Sequence, residues 1–216
     1  MRYRMIPAVL AGILTVCSLT GCGNSGASGN TDDINTEDLP YGSTISIDSS
    51  RSMTISSDKR FIDDALTETI YTYYHSIETK DGEAFSSVMF PIYHEYQLSE
   101  CYEDEVTDQE LLESTYDSIK EYFGYDFAYS FIDITDVKYK TGESSSRDGL
   151  VMMLDQLAEE KDIKPISDET QNLYEMTVTR YVDKQGSGTK KETEDSLVGE
   201  TLFAIQYQGK WYLMYG

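Results

Sequence analysis

The sequence predicts an α+β domain in which N-terminal helices pack on one face of a curved, antiparallel sheet. Three observations lead to this fold class. Between residues 58 and 124 apolar residues recur at helical spacing, whereas β-branched and aromatic residues are enriched from residue 129 onward. The two patterns follow one another along the chain, and one helix-like segment interrupts the second. Helices first and a meander of strands last indicate segregated layers around one core.

Two helices are predicted at the start of the domain. The first follows an expected N-cap at Ser57 and carries an apolar stripe over residues 62–77. The second is short, with Asp81 as its N-cap. We expect it to end at Pro91, because proline cannot continue a helix.

Two further helices have clear sequence signals. Thr107-x-x-Glu110 is a capping box, and Gly124 is a suitable residue to end the helix that follows it. Residues 144–163 place Leu150, Leu154 and other apolar residues at helical spacing. This last helix is predicted to be inserted between strands.

Four strands complete the domain. They are predicted at residues 129–140, 173–182, 198–207 and 210–215. The apolar phase of the first strand slips between Ile134 and Val137, which predicts a bulge or a strong bend. Gln208-Gly209 predicts a two-residue turn between the last two strands.

The N-terminal 21 residues are typical of a bacterial lipoprotein signal. Arg2 and Arg4 precede an apolar run, residues 6–19, that is shorter than the ~20 residues of a membrane span. The run ends in Leu19-Thr-Gly-Cys22, which resembles a lipobox. The resemblance implies cleavage before Cys22 and a diacylglyceryl thioether on its sulfur. We therefore expect a lipid-anchored protein on the extracytoplasmic face of the cell membrane, with the bilayer as its partner.

Residues 22–57 are predicted to be a polar tether to this anchor. The segment is rich in Gly, Ser, Thr, Asn and Asp, a composition that does not support a hydrophobic core. A flexible chain of this length has a root-mean-square reach of roughly 30–36 Å. The folded domain is accordingly expected at residues 58–216.

The three cysteines agree with this organisation. Cys17 leaves with the signal, Cys22 carries the lipid, and Cys101 remains without a partner for an intrachain disulfide. The acidic neighbours of Cys101 disfavour its thiolate, so we expect an unreactive thiol.

The charge of the chain excludes one class of partner. The formal net charge is −22, and the signal peptide contains basic residues but no acidic ones. Cleavage therefore makes the chain still more acidic, and such a surface repels nucleic-acid phosphates. We predict no nucleic-acid binding.

Several segments of the domain resemble NTF2-like domains, which form a cone of cystatin-like shape. They are the long first helix, the short acid-led helix KDGEAFSSVMFP and the closing pair LVGETLFAIQYQGKWYLMYG. The resemblance covers about residues 58–216, and the inserted helix departs from the minimal fold. It implies a pocket between the first helix and the concave sheet, for which the candidate residues are Tyr73, Tyr74, Asp133 and Trp211.

Two short motifs resemble catalytic signatures but are incomplete. His94-Glu-Tyr-Gln-Leu98 lacks the second histidine of a zinc-protease motif. Ser56-x-x-Lys59 and the K-T-G triplet at residues 140–142 resemble motifs of penicillin-recognising serine enzymes, whose third element is absent here. We therefore predict no catalytic motif, no metal site and no cofactor.

The leading hypothesis is a non-catalytic domain that binds a small molecule, a peptide or an envelope partner outside the membrane. An isomerase or lyase that uses the cone pocket is one alternative, with a carboxylate base such as Asp133 or Asp136 and a tyrosine from the first helix. In the opposing interpretation Tyr73 packs in the core and the aspartates are solvated or lie at a bulge. A structural or immunity-type envelope protein with an acidic binding face is the other alternative.

Overall fold

The computed structural model describes residues 39–101, 106–184 and 195–215, all of which belong to a unit that begins at Thr36. The fold is mixed α+β. The helices of the described residues are α1 (Asp64–Thr79), α2 (Gly82–Val88), α3 (Pro91–Cys101), α4 (Asp108–Phe123), α5 (Ser145–Glu160) and α6 (Ile166–Glu169). The strands are β1 (Ile45–Asp48), β2 (Thr54–Asp58), β3 (Phe127–Lys138), β4 (Thr170–Lys184), β5 (Ser196–Tyr207) and β6 (Lys210–Tyr215).

Side-chain caps fix where the predicted helices begin. Asp63, not Ser57, caps α1: its carboxylate accepts a 2.7 Å hydrogen bond from the backbone N–H of Leu66. Ser57 lies instead in β2, where its backbone belongs to a sheet. The prediction for α2 is confirmed, since the Asp81 carboxylate accepts from the N–H of Ala84 at 3.0 Å.

The capping box of α4 is confirmed in both directions. The N–H of Glu110 donates to the Thr107 hydroxyl, and the Thr107 N–H donates to the Glu110 carboxylate. The helix ends at Gly124, whose φ of 79° requires the left-handed region that glycine adopts without strain.

The helix α3 is absent from the sequence prediction. Pro91 was expected to end α2, but α2 already ends at Val88 and Pro91 is the first residue of α3. Proline is well tolerated at the first helical position, because its missing N–H has no intrahelical partner there. Pro91 therefore begins α3 and does not end α2.

The strands form one sheet in the sequential order β1-β2-β3-β4-β5-β6. Neighbours are antiparallel except for β2 and β3, which are parallel. The predicted irregularity of β3 is confirmed by a register shift between Ile134 and Asp136. The predicted turn between β5 and β6 is also present, and both Gln208 and Gly209 have positive φ, as in the hairpin turns that match strand twist.

The β1–β2 hairpin corrects the predicted tether. Residues 45–57 were assigned to the tether, but this segment forms the hairpin and buries Met53 and Ile55 in the main core. A short Ser/Thr-rich strand with one large apolar residue, preceded by Met53, suffices here, because the sheet supplies the rest of the burial. Residues 22–38 of the predicted tether lie outside the described residues, as does the predicted signal.

Helices cover both faces of the sheet, whereas the sequence predicted helices on one face. We call these the α1 face, where α1, α2 and α4 pack, and the α5 face, where α5 and α6 pack. Along β4, Met176 and Val178 belong to the core of the α1 face. Leu173 belongs to the core of the α5 face, together with Phe203 and Ile205 of β5. The inserted helix was predicted, and its role is to cover the second face.

Candidate functional site

Two of the predicted pocket residues, Tyr73 and Tyr74, lie side by side on α1 against the sheet. Their side chains are 4% and 0% exposed, and their rings meet edge to face with centroids 4.9 Å apart. Tyr74 also meets Tyr129 of β3 edge to face at 5.3 Å. The place where a pocket was expected is thus occupied, at this point, by three tyrosine rings.

An ion pair lies beside these rings. The Arg180 Nε lies 3.1 Å from Oε2 of Glu200, and both side chains are 17% exposed. The Tyr74 hydroxyl donates a 2.6 Å hydrogen bond to the same carboxylate oxygen. We refer to Tyr73, Tyr74, Tyr129, Arg180 and Glu200 as the Arg180 cluster.

Strand pairing places Arg180 and Glu200 on the same face, beside a β-bulge in β5. Val178 pairs with Glu200, but the next pair is Arg180 with Leu197, so β5 has one more residue than β4 in this interval. Gly199 has a φ of 79°, the left-handed conformation found at the first residue of one common type of bulge. Glu200 lies opposite Val178, two residues before Arg180, so both side chains belong to the α1 face; the extra residue places Leu197 rather than Val198 opposite Arg180.

The electrostatics of the cluster favour a protonated phenol beside an ionised pair. Burial raises the pKa of Tyr74, and the negative charge of Glu200 raises it further. Burial opposes the charge on Arg180, but Glu200 and the neighbouring tyrosines outweigh it and raise the pKa of the guanidinium. Tyr74 therefore donates, while Glu200 is held by a cation and a phenol.

Asp133 is not brought to these tyrosines. It lies on β3 between Ile132 and Ile134, which are both buried in the core of the α1 face. Because successive side chains of a strand point to opposite faces, Asp133 belongs to the α5 face. Its placement in a common pocket with Tyr73 and Tyr74 is therefore wrong.

Trp211 lies towards the other end of the α1 face. Its indole N–H donates to Oδ2 of Asp63 at 3.2 Å, and its ring packs 5.3 Å from that of Tyr174. Tyr174 and Arg180 are six residues apart on β4, which corresponds to about 20 Å of strand. Trp211 therefore connects β6 to the N-cap of α1 rather than lining a space with Tyr73 and Tyr74.

Ser56 and His94, the first residues of two of the incomplete catalytic motifs, both contact other parts of the fold. Ser56 lies within β2, paired with Ile47 and Asp133. His94 Nε2 lies 2.6 Å from Oδ1 of Asp108, which connects α3 to the start of α4. In the part of the chain that the structure describes, no group of three or more His, Cys, Asp or Glu residues is arranged to hold a metal ion.

A cavity of about 320 Å³ lies on the α5 face, between α5, α6 and β4. Its apolar lining comes from Val151, Leu154, Ile166, Leu173 and Ile205. Polar groups surround this floor, from Thr141, Arg147, Asp148, Ser167, Thr170, Gln171 and Asn172. We call this space the α5 cavity. An apolar floor with a few polar groups is the usual composition of a small-molecule site.

The polar rim of the α5 cavity is held in place by the fold. Arg147 donates from Nε to the carbonyl of Leu173 and from Nη1 to Oδ1 of Asp148, both at 2.8 Å. The α5 N-cap Ser144 donates to the buried carboxylate of Glu175. These bonds fix the first turn of α5 on β4, so the cavity is pre-formed.

Neither the Arg180 cluster nor the α5 cavity was predicted from the sequence. One signal for the first was available: Arg180 stands in the apolar register of β4, between Val178 and Val182. The second depends on α5 packing against the sheet, and the sequence indicated only that an extra helix exists.

None of the helices in the described ranges is long and apolar enough to cross a bilayer. The chain was also compared with protein-family models, curated proteins and solved structures, and no match was found in any of the three.

Proposed function

We propose that this chain is a lipid-anchored, extracytoplasmic domain that binds a small molecule without catalysis, and that its ligand site is the α5 cavity. The observation that carries the proposal is the cavity itself. Its volume of about 320 Å³ is at the lower end of the range for ligand pockets, roughly 300–1,000 Å³. The ligand is expected to be small, with an apolar body and a polar end.

The chemistry of the lining supports this class of ligand. Leu154 and Ile166 are each 1% exposed and form a rigid apolar floor. Arg147 and Asp148 neutralise each other at the rim, so the site presents no net charge from this pair. Such a lining favours a neutral or zwitterionic molecule over an anion or a cation.

The lipid anchor is supported by the sequence at Cys22. Residues 45–57 of the predicted tether belong to the β1–β2 hairpin, so the linker in this proposal is shorter than the one first predicted. The domain would be held close to the membrane, where it meets molecules that pass through the envelope.

The NTF2-like cone remains part of the proposal. It is supported by the length of α1, its packing on the sheet and the closing β5–β6 hairpin. The β1–β2 hairpin and the helices on the α5 face are additions to the minimal pattern. In this proposal the α5 cavity replaces the expected pocket beside α1 as the ligand site.

A pair of neighbouring substitutions tests the cavity. Val151→Trp fills the space, whereas Met152→Trp places the same ring on a side chain that is 71% exposed. The full chain in detergent is incubated with a small-molecule extract of bacterial envelopes, and retained molecules are measured by mass spectrometry.

We expect the wild type and Met152→Trp to retain the same molecule and Val151→Trp to retain at least tenfold less. Equal retention by Val151→Trp, or no retained molecule with the wild type, would contradict the proposal. Circular dichroism of both variants establishes that they are folded.

A further inference from the structure

Two donors of the Arg180 cluster are buried without an acceptor among the described residues. They are the hydroxyl of Tyr129, whose side chain is 1% exposed, and Nε of Arg180; the Arg180 guanidinium lies beside the Tyr129 hydroxyl, but it can only donate to it. Buried polar groups in folded proteins nearly always have partners, so two such donors in one cluster require an explanation.

Glu200 does not satisfy either donor. Its Oε2 lies 3.1 Å from Arg180 Nε, yet the N–H is not directed at the oxygen, so the contact is an ion pair without a hydrogen bond. The same oxygen accepts from Tyr74 at 2.6 Å. In this conformation the Glu200 carboxylate therefore accepts from Tyr74 but from neither Tyr129 nor Arg180 Nε.

The donors form a suitable site for a carboxylate. A guanidinium binds carboxylates through its planar set of N–H groups, and phenols add further donors. We propose that Arg180, Tyr74 and Tyr129 form a binding site for a small carboxylate, and that Glu200 is an internal occupant which a ligand carboxylate replaces.

The site is accessible from one side. The side chains of Arg180 and Glu200 are each 17% exposed, so the internal occupant is at the boundary with solvent. Val198, in the adjacent bulge, is 77% exposed. The site lies on the α1 face, whereas the α5 cavity lies on the other face of the sheet. The carboxylate site and the ligand site in the α5 cavity can therefore be tested independently.

Acetate is the probe for this site. Glu200→Ala removes Cγ and the carboxyl group, which are the heavy atoms of acetate. We expect sodium acetate to raise the thermal midpoint of this variant saturably, relative to sodium chloride at equal ionic strength. The dissociation constant should be at least tenfold lower than for the wild type, in which Glu200 competes.

Three controls distinguish this site from general salt effects. Acetamide, which is neutral and of the same shape, should give no shift. Adding Arg180→Met to Glu200→Ala should abolish the response to acetate. Adding Tyr129→Phe should weaken acetate binding at least threefold, whereas Tyr116→Phe, which alters a tyrosine bonded to Asp126 instead, should not.

Equal responses of Glu200→Ala to acetate and chloride would overturn the proposal, as would equal affinities of the variant and the wild type. If Glu200→Ala does not fold in chloride, the same titration is made on Glu200→Gln. This isosteric variant should fold, and because its amide lacks the charge that pairs with Arg180, acetate should displace it more readily than the native carboxylate. Failure of acetate to bind Glu200→Gln more tightly than the wild type would then overturn the proposal.

Discussion

Asp58 and Arg60 form a buried ion pair that holds the beginning of the described chain against the sheet. Nη2 of Arg60 lies 2.6 Å from Oδ2 of Asp58, and the side chain of Asp58 is completely buried. The same guanidinium donates to the carbonyls of Leu39 and Pro40, both at 2.7 Å. This pair therefore fixes Leu39 and Pro40 beside the end of β2.

Asp58→Ala should lower the free energy of unfolding by about 1.5–3 kcal/mol, because it removes a buried carboxylate that accepts hydrogen bonds from Arg60, Thr44 and the N–H of Gly42. The matched control is Asp48→Ala in β1, where the carboxylate is exposed and accepts from Ser50, and its loss should be under about 1 kcal/mol. Urea unfolding followed by the fluorescence of Trp211, the chain's single tryptophan, measures both. Similar losses for the two variants would refute this role of the pair.

Acidification should remove the contribution of Asp58. Burial alone would raise the pKa of Asp58, but hydrogen bonds from Arg60 and Thr44 outweigh it and lower the pKa below its ordinary value of 3.8. A group whose pKa is lower in the folded state stabilises the fold above the unfolded pKa and loses this effect as the pH falls. Below about pH 4, the wild type should lose stability more steeply than Asp58→Asn. If the free energy of unfolding falls equally with pH in the wild type and in Asp58→Asn, this role of Asp58 is wrong.

The two tyrosines beside Arg180 should respond differently to loss of their hydroxyls. Tyr74→Phe removes a hydrogen bond to a charged acceptor and should lower stability by about 1.5–3 kcal/mol. Tyr129→Phe removes a hydroxyl whose proton has no acceptor and which only lies beside the Arg180 guanidinium, so its loss should be under about 1 kcal/mol. Thermal unfolding followed by circular dichroism compares them. A larger loss for Tyr129→Phe would show that its hydroxyl is satisfied.

Asp63 should contribute more to stability than an ordinary helix cap. Its carboxylate caps α1 and also accepts from the Trp211 indole, so Asp63→Ala loses the cap and leaves a buried donor unpaired. We expect a loss of about 2–4 kcal/mol. Asp81→Ala, which removes only the cap of α2, should lower stability by about 0.5–2 kcal/mol. Equal losses in chemical unfolding monitored by circular dichroism would exclude a contribution from the contact with Trp211.

The predicted elements that the structure confirms are those with local causes. The capping box at Thr107, the cap at Asp81 and the turn at Gln208-Gly209 each depend on residues within four positions of one another. Such signals are readable from a single sequence because the physical interaction is itself local. The β1–β2 hairpin was missed because its stability comes from pairing β2 with β3, more than 70 residues away in the chain.

The candidate site was harder to predict because it depends on strand register. Tyr73 and Tyr74 lie between α1 and the sheet, but their partners Arg180 and Glu200 come from two strands, and only the register of those strands places them near each other. A shift of one residue in either strand moves a side chain to the other face. Asp133 was misplaced for the same reason, since an acidic residue in a strand does not by itself reveal which face it occupies.

The proposed anchor predicts a covalent lipid at one cysteine. Cys22→Ala should abolish incorporation of labelled palmitate and move the protein from the detergent-rich to the aqueous phase on partitioning, because the acyl chains supply the membrane affinity. Cys101→Ala is the matched control, since it removes the other cysteine outside the predicted signal and should retain the label. Mass spectrometry of the mature wild type should show loss of residues 1–21. Labelled palmitate on Cys22→Ala, or an intact N-terminus in the wild type, would rule out this anchor and leave an ordinary secretory signal as the explanation of the apolar run.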